Sequence, residues 1–249
     1  FGATAFDYTN TGYLPLATQN LPTPDVINYE DEYYIEAGIS HSNGSTTAVT
    51  LPKTVSGGAM VRIKRTNTTG GWYVFDTVRG ANKFLYWNDT AVEDTSTFDD
   101  QNLTGTTFTM PSDLATGTYL LECFYMGSYF QIKAYSGTGS AHAESFSAAL
   151  DTAPGMGLVM ARDATYNNTI YHISLGGTKN MQAQSAAAAE TGTNRFNDTN
   201  PTASQFTLGD GVIMNDNSKT YIAYYWANSG PYAFGSATAN ASTDGPFIS

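Results

Sequence analysis

The sequence predicts an all-β protein built as two tandem, similar β-sandwich modules of jelly-roll or immunoglobulin size. Three observations carry that expectation. Short β-branched and aromatic runs alternate with turn clusters such as NTTGG, SGTGS and NSGP, the pattern of a sandwich or barrel. Aromatic residues make up 13% of the chain, enough to fill such a core. The chain also repeats itself at an offset that grows from about 96 to about 102 residues, the mark of a tandem array.

Taken in order, residues 1–25 read as the end of a preceding β domain, closing through the Pro-punctuated linker LPTPD. Residues 26–38, with the acidic run YEDEYYIE, read as a solvated linker strand. The first unit is placed at 39–134 and the second at 135–237. Residues 238–249 read as the start of a further repeat or a C-terminal strand. Within the units, GGAMVRIKR (Gly57–Arg65) answers GMGLVMARD (Gly155–Asp163), and YVFDTVRGANK answers TIYHISLGGTK. Phe98 and Phe108 frame one loop as Phe196 and Phe206 frame another, both pairs ten residues apart. TYLLECFY answers TYIAYYWA, and AYSGTGSAH answers SATANASTD. The two longest apolar runs are expected to be interior strands. Alternation places Tyr119, Leu121 and Cys123 on one face, with Leu120, Glu122 and Phe124 on the other. The Ala run QAQSAAAAETG is short and its side chains are small, so a surface turn or loop is expected there.

Lys and Arg number 11 against 22 Asp and Glu, a formal charge of −11. Such a balance repels phosphate backbones and anionic membranes, which argues against nucleic-acid partners and membrane insertion. Charged residues are only 13% of the chain, about half the usual ~25%. Ser, Thr, Asn and Gly take their place, as in exported or particle-surface β proteins. The single cysteine, Cys123, excludes an intrachain disulfide and reads as a buried thiol. No apolar run approaches the ~18 residues of a membrane span. The chain opens on Phe1, as a processed product or a piece of something longer would.

Chemistry is sparse. The histidines His41, His142 and His172 have no metal-ligand spacing, and His41 and His142 read as following equivalent turns. No nucleophile elbow or phosphate loop is present, so no catalytic residue and no cofactor is expected. Glu93, Asp94, Asp99 and Asp100 form the one acidic cluster worth testing for paired glycosidase acids. Asp210, Asn215, Asp216 and Asn217 supply oxygen donors that Ca²⁺ accepts, without EF-hand spacing, and a polar hairpin turn is the preferred reading. The stretch GWYVFDTVRGANKFLYWNDT gathers six aromatic side chains with two Asp, an Arg and a Lys. Its second copy keeps the strand, the Gly turn and the Lys but loses both tryptophans. Tyr73, Phe75 and Phe84 are therefore read as core. Trp72, Trp87, Tyr125 and Trp226 stand as candidate glycan contacts.

FDTVRGANK, then FTM or FTL, then TYIAYYWA and FGSATANASTDGPFI resemble a repeat of about 100 residues in structural proteins of marine tailed bacteriophages. The opening FGATAFDYTNTGYLPLATQNLP resembles the closing stretch of SPRY-like, concanavalin-type domains. One departure is Tyr225, where the repeat often carries Cys. The resemblance implies a non-enzymatic virion-surface protein, a tail fibre or a head-fibre or decoration module. It would be extracellular, homo-oligomeric, in contact with other virion proteins and with a host-surface glycan. The alternative is a secreted, lectin-like carbohydrate-binding module beside a glycosidase.

Overall fold

The structure, a computed structural model, describes residues 29–238. The expectations for 1–25 and for the strand within 239–249 lie outside the described residues. One helical turn, α1 (Tyr29–Glu32), leads into β1 (Tyr33–His41), β2 (Thr47–Thr50), β3 (Ala59–Arg65) and β4 (Tyr73–Asp76). The first half continues with β5 (Leu85–Tyr86), β6 (Asn102–Thr104), β7 (Thr107–Met110) and β8 (Gly117–Tyr125). Then follow β9 (Phe130–Ser136), β10 (His142–Ser145), β11 (Pro154–Ala161), β12 (Thr169–His172) and β13 (Lys179–Gln182). The last elements are β14 (Glu190–Thr191), β15 (Gln205–Leu208), the single turn α2 (Val212–Asn215) and β16 (Thr220–Ala227). The protein is all-β, as predicted, and every strand pair is antiparallel.

The main sheet of the first half runs β1-β8-β3-β4-β5, and that of the second runs β14-β13-β12-β11-β16-β9. Read from β9, the second order repeats the first, with β14 added at the far edge. A small sheet, β2-β7-β6 in one half and β10-β15 in the other, faces each main sheet. The registers refine the alignment. Met60 pairs with Asp76 as Met156 pairs with His172, and Arg65 pairs with Tyr119 as Ala161 pairs with Tyr221. Gly57–Arg65 therefore matches the chain two residues earlier than GMGLVMARD, so that Arg62 corresponds to Leu158. A slip of two keeps every side chain on its face, which is why apolar pattern alone cannot detect it.

Pleating sends alternate residues to opposite faces, and here both faces of the main sheets are covered. Val61, Ile63, Phe75, Leu121 and Cys123 pack on Phe108 and Met110 of the small sheet. Val159, Tyr171, Tyr221 and Tyr225 pack on Phe206 and Leu208 in the same way. A third core joins the halves: Met60, Val74, Leu85 and Phe124 meet Phe130, Ile132, Leu158, Met160, Ile222, Tyr224 and Trp226. The main sheets thus stand back to back, each half covering the other. That double burial is why TYIAYYWA is apolar almost without a break, with seven of its eight residues buried. Cross-strand volumes are traded between the halves. Val61 faces Cys123 in the first, whereas Gly157 faces Tyr225 in the second. A Cβ on Gly157 would lie 2.2 Å from the Tyr225 ring, so the large Tyr requires the Gly.

Three expectations are corrected. Residues 33–38 are not a linker, because β1 pairs with β8 from Tyr33 onward. The boundary at 134/135 falls inside β9, which pairs with β16 from Phe130. His41 and His142 are not equivalent: His41 ends β1 with Nδ1 2.9 Å from Thr47 Oγ1, while His142 opens β10 with Nδ1 3.1 Å from Thr138 Oγ1. His and Thr have exchanged sides of the same connection. The Ala run is loop between β13 and β14. No helix among the described residues is long and apolar enough to cross a membrane.

Candidate functional site

Two charged residues stand in the middle of apolar strands. Arg62 on β3 and Glu122 on β8 are direct cross-strand partners, both on the back face of the first main sheet. Arg62 Nε donates to Glu122 Oε2, and the hydroxyl of Tyr33 on β1 donates to Oε1 at 2.8 Å. Burial and that hydrogen bond raise the Tyr33 pKa, keeping the hydroxyl a donor. The Arg62 guanidinium lies between two indoles, with its carbon 4.6 Å from the Trp72 ring centre and 4.5 Å from that of Trp87. Stacking of this kind fixes the plane of the guanidinium and the direction of its N–H groups. Among the described residues its Nη1 and Nη2 groups have no hydrogen-bond partner.

Trp87 follows β5, in a segment that the second half holds in place. The side-chain amide of Asn168 donates to the carbonyls of Tyr86, Trp87 and Asp89 at 2.9–3.0 Å. Asn168 occupies the position of Trp72 in the other half, since Trp87 N bonds Trp72 O as Ala183 N bonds Asn168 O. Trp226 from β16 stands 6.1 Å from Trp87 and 5.5 Å from Phe124, centre to centre. With Tyr33, Tyr232 and Phe234 these rings wall a cleft of about 280 Å³ between the ends of the two sheets, and Arg62 and Glu122 sit in its wall. Gly155 has no room for a side chain because Phe234 lies against it, so the segment after β16 is seated close on β11.

Of the four aromatic candidates, Trp87 and Trp226 meet in this cleft and Trp72 stands behind Arg62. Tyr125 is corrected. It is buried on the other face of β8, in the core of the first half, and cannot meet a ligand. Phe124, the next residue on the strand, faces the cleft in its place. Nor is Trp226 an open platform: at 3% exposure it is a wall, and one face of Trp87 is covered by Arg62. Sequence reading missed Arg62, Glu122, Tyr33 and Tyr232. A signal was present in the charges within MVRIKR and LLECF, which sit on strands otherwise built for burial.

The acidic cluster is dispersed into structural roles. Glu93 accepts from Arg162 at 2.7 and 3.0 Å and pairs with Arg79 at 3.3 Å. Arg79 is fully buried, ion-paired to Asp76, and donates to the carbonyl of Val74. Tyr224 of the second half donates to Asp76 at 2.7 Å, so this network crosses the joint between the halves. Asp94 accepts from Ser96 and Thr97, which hold its carboxyl below the usual carboxylate range, with the Thr97 side chain the main cause. Asp100 is lowered too, chiefly by the Ser112 side chain, and it also accepts from the Ser112 amide. Asp99 is exposed. The calcium candidates are similarly engaged. Asn215 is buried and bonds Thr138, Ser140 and Gly209, while Asp216 accepts from Tyr166 at 2.6 Å. Their run forms the turn α2 rather than a hairpin. No group of three or more His, Cys, Asp or Glu side chains among the described residues is arranged to hold a metal. Cys123 is buried in the first core, and desolvation pushes its thiol up to about 12.

Compared with known proteins, no curated protein and no solved structure matches the chain. Residues 126–249 match a family described as a domain of unknown function, DUF7483. The match begins in the turn between β8 and β9, where the pairing also starts the second half, so the portion of the chain similar to that family is the second main sheet with its small sheet.

Proposed function

We propose that this chain is a non-enzymatic structural module of a tailed-bacteriophage particle, a tail-fibre or head-fibre and decoration segment that coats the surface and adheres to the host. The observation that carries the reading is the fate of the carboxylates. Glu93, Asp94 and Asp100, the acids best placed by sequence for catalysis, hold other parts of the fold by ion pairs and backbone hydrogen bonds. Sheets buried on both faces make a stiff unit, as mechanical reach or display requires. The Ser/Thr/Asn-rich exterior resists non-specific sticking. Other virion proteins, further copies of the chain and a host-surface glycan are its partners on this reading, and weak contacts summed over many copies would supply avidity. Mass spectrometry of purified particles, with labelled-antibody imaging to place the chain on tail or capsid, tests the proposal. Recovery only from the particle-free secreted fraction would sink it.

A second reading has its own support. The aromatic cleft with its Arg62–Glu122 pair suits a lectin-like carbohydrate-binding module, which would be found free of particles.

A further inference from the structure

The joint between the halves serves as an internal control on Arg62 and Glu122. Their equivalents in the second half are Leu158 and Tyr224, which pair across the same two strands. The fold therefore fills this position once with an ion pair and once with an uncharged Leu–Tyr pair, whose Tyr hydroxyl bonds Asp76 instead of its cross-strand neighbour. A partly buried ion pair is seldom worth more than an apolar pair of similar volume. Stability alone does not account for Arg62 and Glu122.

Their surroundings do. The Arg62 guanidinium carbon lies within 4.6 Å of two indole ring centres, and among the described residues its two terminal amino groups, beside the cleft, have no hydrogen-bond partner. Glu122 accepts one hydrogen bond on each oxygen and has lone pairs to spare. Together they offer donors and acceptors side by side, the arrangement that two neighbouring hydroxyls satisfy, one accepting from Arg62 and one donating to Glu122. The neighbouring walls, Phe124, Trp226 and Tyr232, present aromatic rings that suit the C–H face of a sugar ring. The pair is electrically balanced. A charged occupant would leave one net charge poorly solvated, and an anion would in addition approach a chain of charge −11. A purely apolar occupant would strip water from Arg62 and Glu122 and return no hydrogen bond. At about 280 Å³ the cleft is just under the ~300–1,000 Å³ of pockets for drug-sized ligands, so one ring fits and a longer chain must leave by the mouth.

We propose that this cleft binds one neutral pyranose ring, gripping two adjacent hydroxyls with Arg62 and Glu122 while Phe124, Trp226 and Tyr232 cover its apolar face. The inference deepens the adhesion reading by placing and typing its contact. It can fail on the purified protein while particle location succeeds, so the two are separately decided.

The test titrates the purified chain with methyl α-mannopyranoside, methyl α-glucopyranoside, methyl β-galactopyranoside and sodium glucuronate, following the tryptophan indole N–H resonances. The expected result is saturable shifts of Trp87 and Trp226 with at least one neutral glycoside, at a Kd on the order of 1 mM for a ligand of about a dozen heavy atoms. Arg62→Lys keeps the charge and loses the flat two-pronged donor, and should weaken binding about tenfold with the melting temperature unchanged. R62L/E122Y installs the pair that the second half carries and should abolish the shifts. If that variant does not fold, Arg62→Lys still decides. No shift with any neutral glycoside, stronger binding of glucuronate, or equal binding by Arg62→Lys overturns the proposal. So does a sedimentation profile in which R62L/E122Y only changes the oligomeric state, which would make the cleft a contact between copies.

Discussion

Asp76→Asn is the sharpest probe of the joint between the halves. The wild-type network balances two cations, the buried Arg79 and the half-buried Arg162, against Asp76 and Glu93. Asn keeps the shape of Asp76 and its one oxygen can still accept from the Arg79 amide, while its NH2 group replaces the oxygen that accepts from the Tyr224 hydroxyl and from Arg79 Nε. It removes one negative charge and leaves Arg79, whose side chain has no solvent contact, facing only Glu93 at 3.3 Å. Breaking a buried pair in this way costs about 3–5 kcal/mol. For a chain of this size each kcal/mol lowers the melting temperature by about 2–4 °C, so a fall of about 6–20 °C is expected. Urea unfolding followed by tryptophan fluorescence and by calorimetry measures it. Because Tyr224 and Arg162 belong to the second half, the loss should appear as one earlier transition shared by both halves. Tyr224→Phe deletes a single hydrogen bond and should cost about 1–1.5 kcal/mol. A loss below about 1 kcal/mol for Asp76→Asn, or a first half that melts separately, would refute the reasoning.

Other expectations follow the same logic. Leu121→Ala, in the first core, should cost about 2–5 kcal/mol by urea denaturation, and a loss below about 0.5 kcal/mol would mean that the strand's inner face is misassigned. Gly157→Val should overpack Tyr225 by about 1–3 kcal/mol or more, and adding Tyr225→Cys, which recreates the Val61–Cys123 pair, should recover most of it. His41 is held below its ordinary pKa chiefly by burial, against the pull of Asp100. Its folded-state pKa lies below the unfolded ~6.5, so its neutral form stabilises above that pH and the contribution is lost as pH falls below it; His41→Gln should flatten the melting-temperature profile as pH falls below about 6.5. Screening against bacterial surface polysaccharides should show no hydrolysis, and turnover abolished by Ala at Glu93, Asp94, Asp99 or Asp100 would overturn the structural reading.

Much of the fold was legible because it rests on local alternation and on recurrence. Phe98, Phe108, Phe196 and Phe206 are all buried, and the two faces of TYLLECFY divide as expected, Leu121 and Cys123 from Phe124. What escaped is what the period cannot carry. The two-residue slip of Gly57–Arg65 leaves the pattern of faces unchanged. The third core was invisible because a strand buried on both sides reads the same whatever covers it. The site was half seen: Trp87 and Trp226 stand out by residue type, but the Arg62–Glu122 pair joins residues 60 apart and exists only once β3 and β8 are side by side. Tyr125 misled for a related reason, since neighbouring residues on a strand face opposite ways.

The back-to-back stacking carries an arithmetic of its own. Either half made alone would present a bare apolar sheet, Phe130, Ile132, Leu158 and Met160 among its side chains in the second half. Such a face is satisfied by one sister face and then by no other. Units of this type therefore count in twos. A chain with an even number closes upon itself at these surfaces, and a chain with an odd number keeps one face that only another molecule can cover. Parity of the copy number would then decide whether such a chain stays single or assembles.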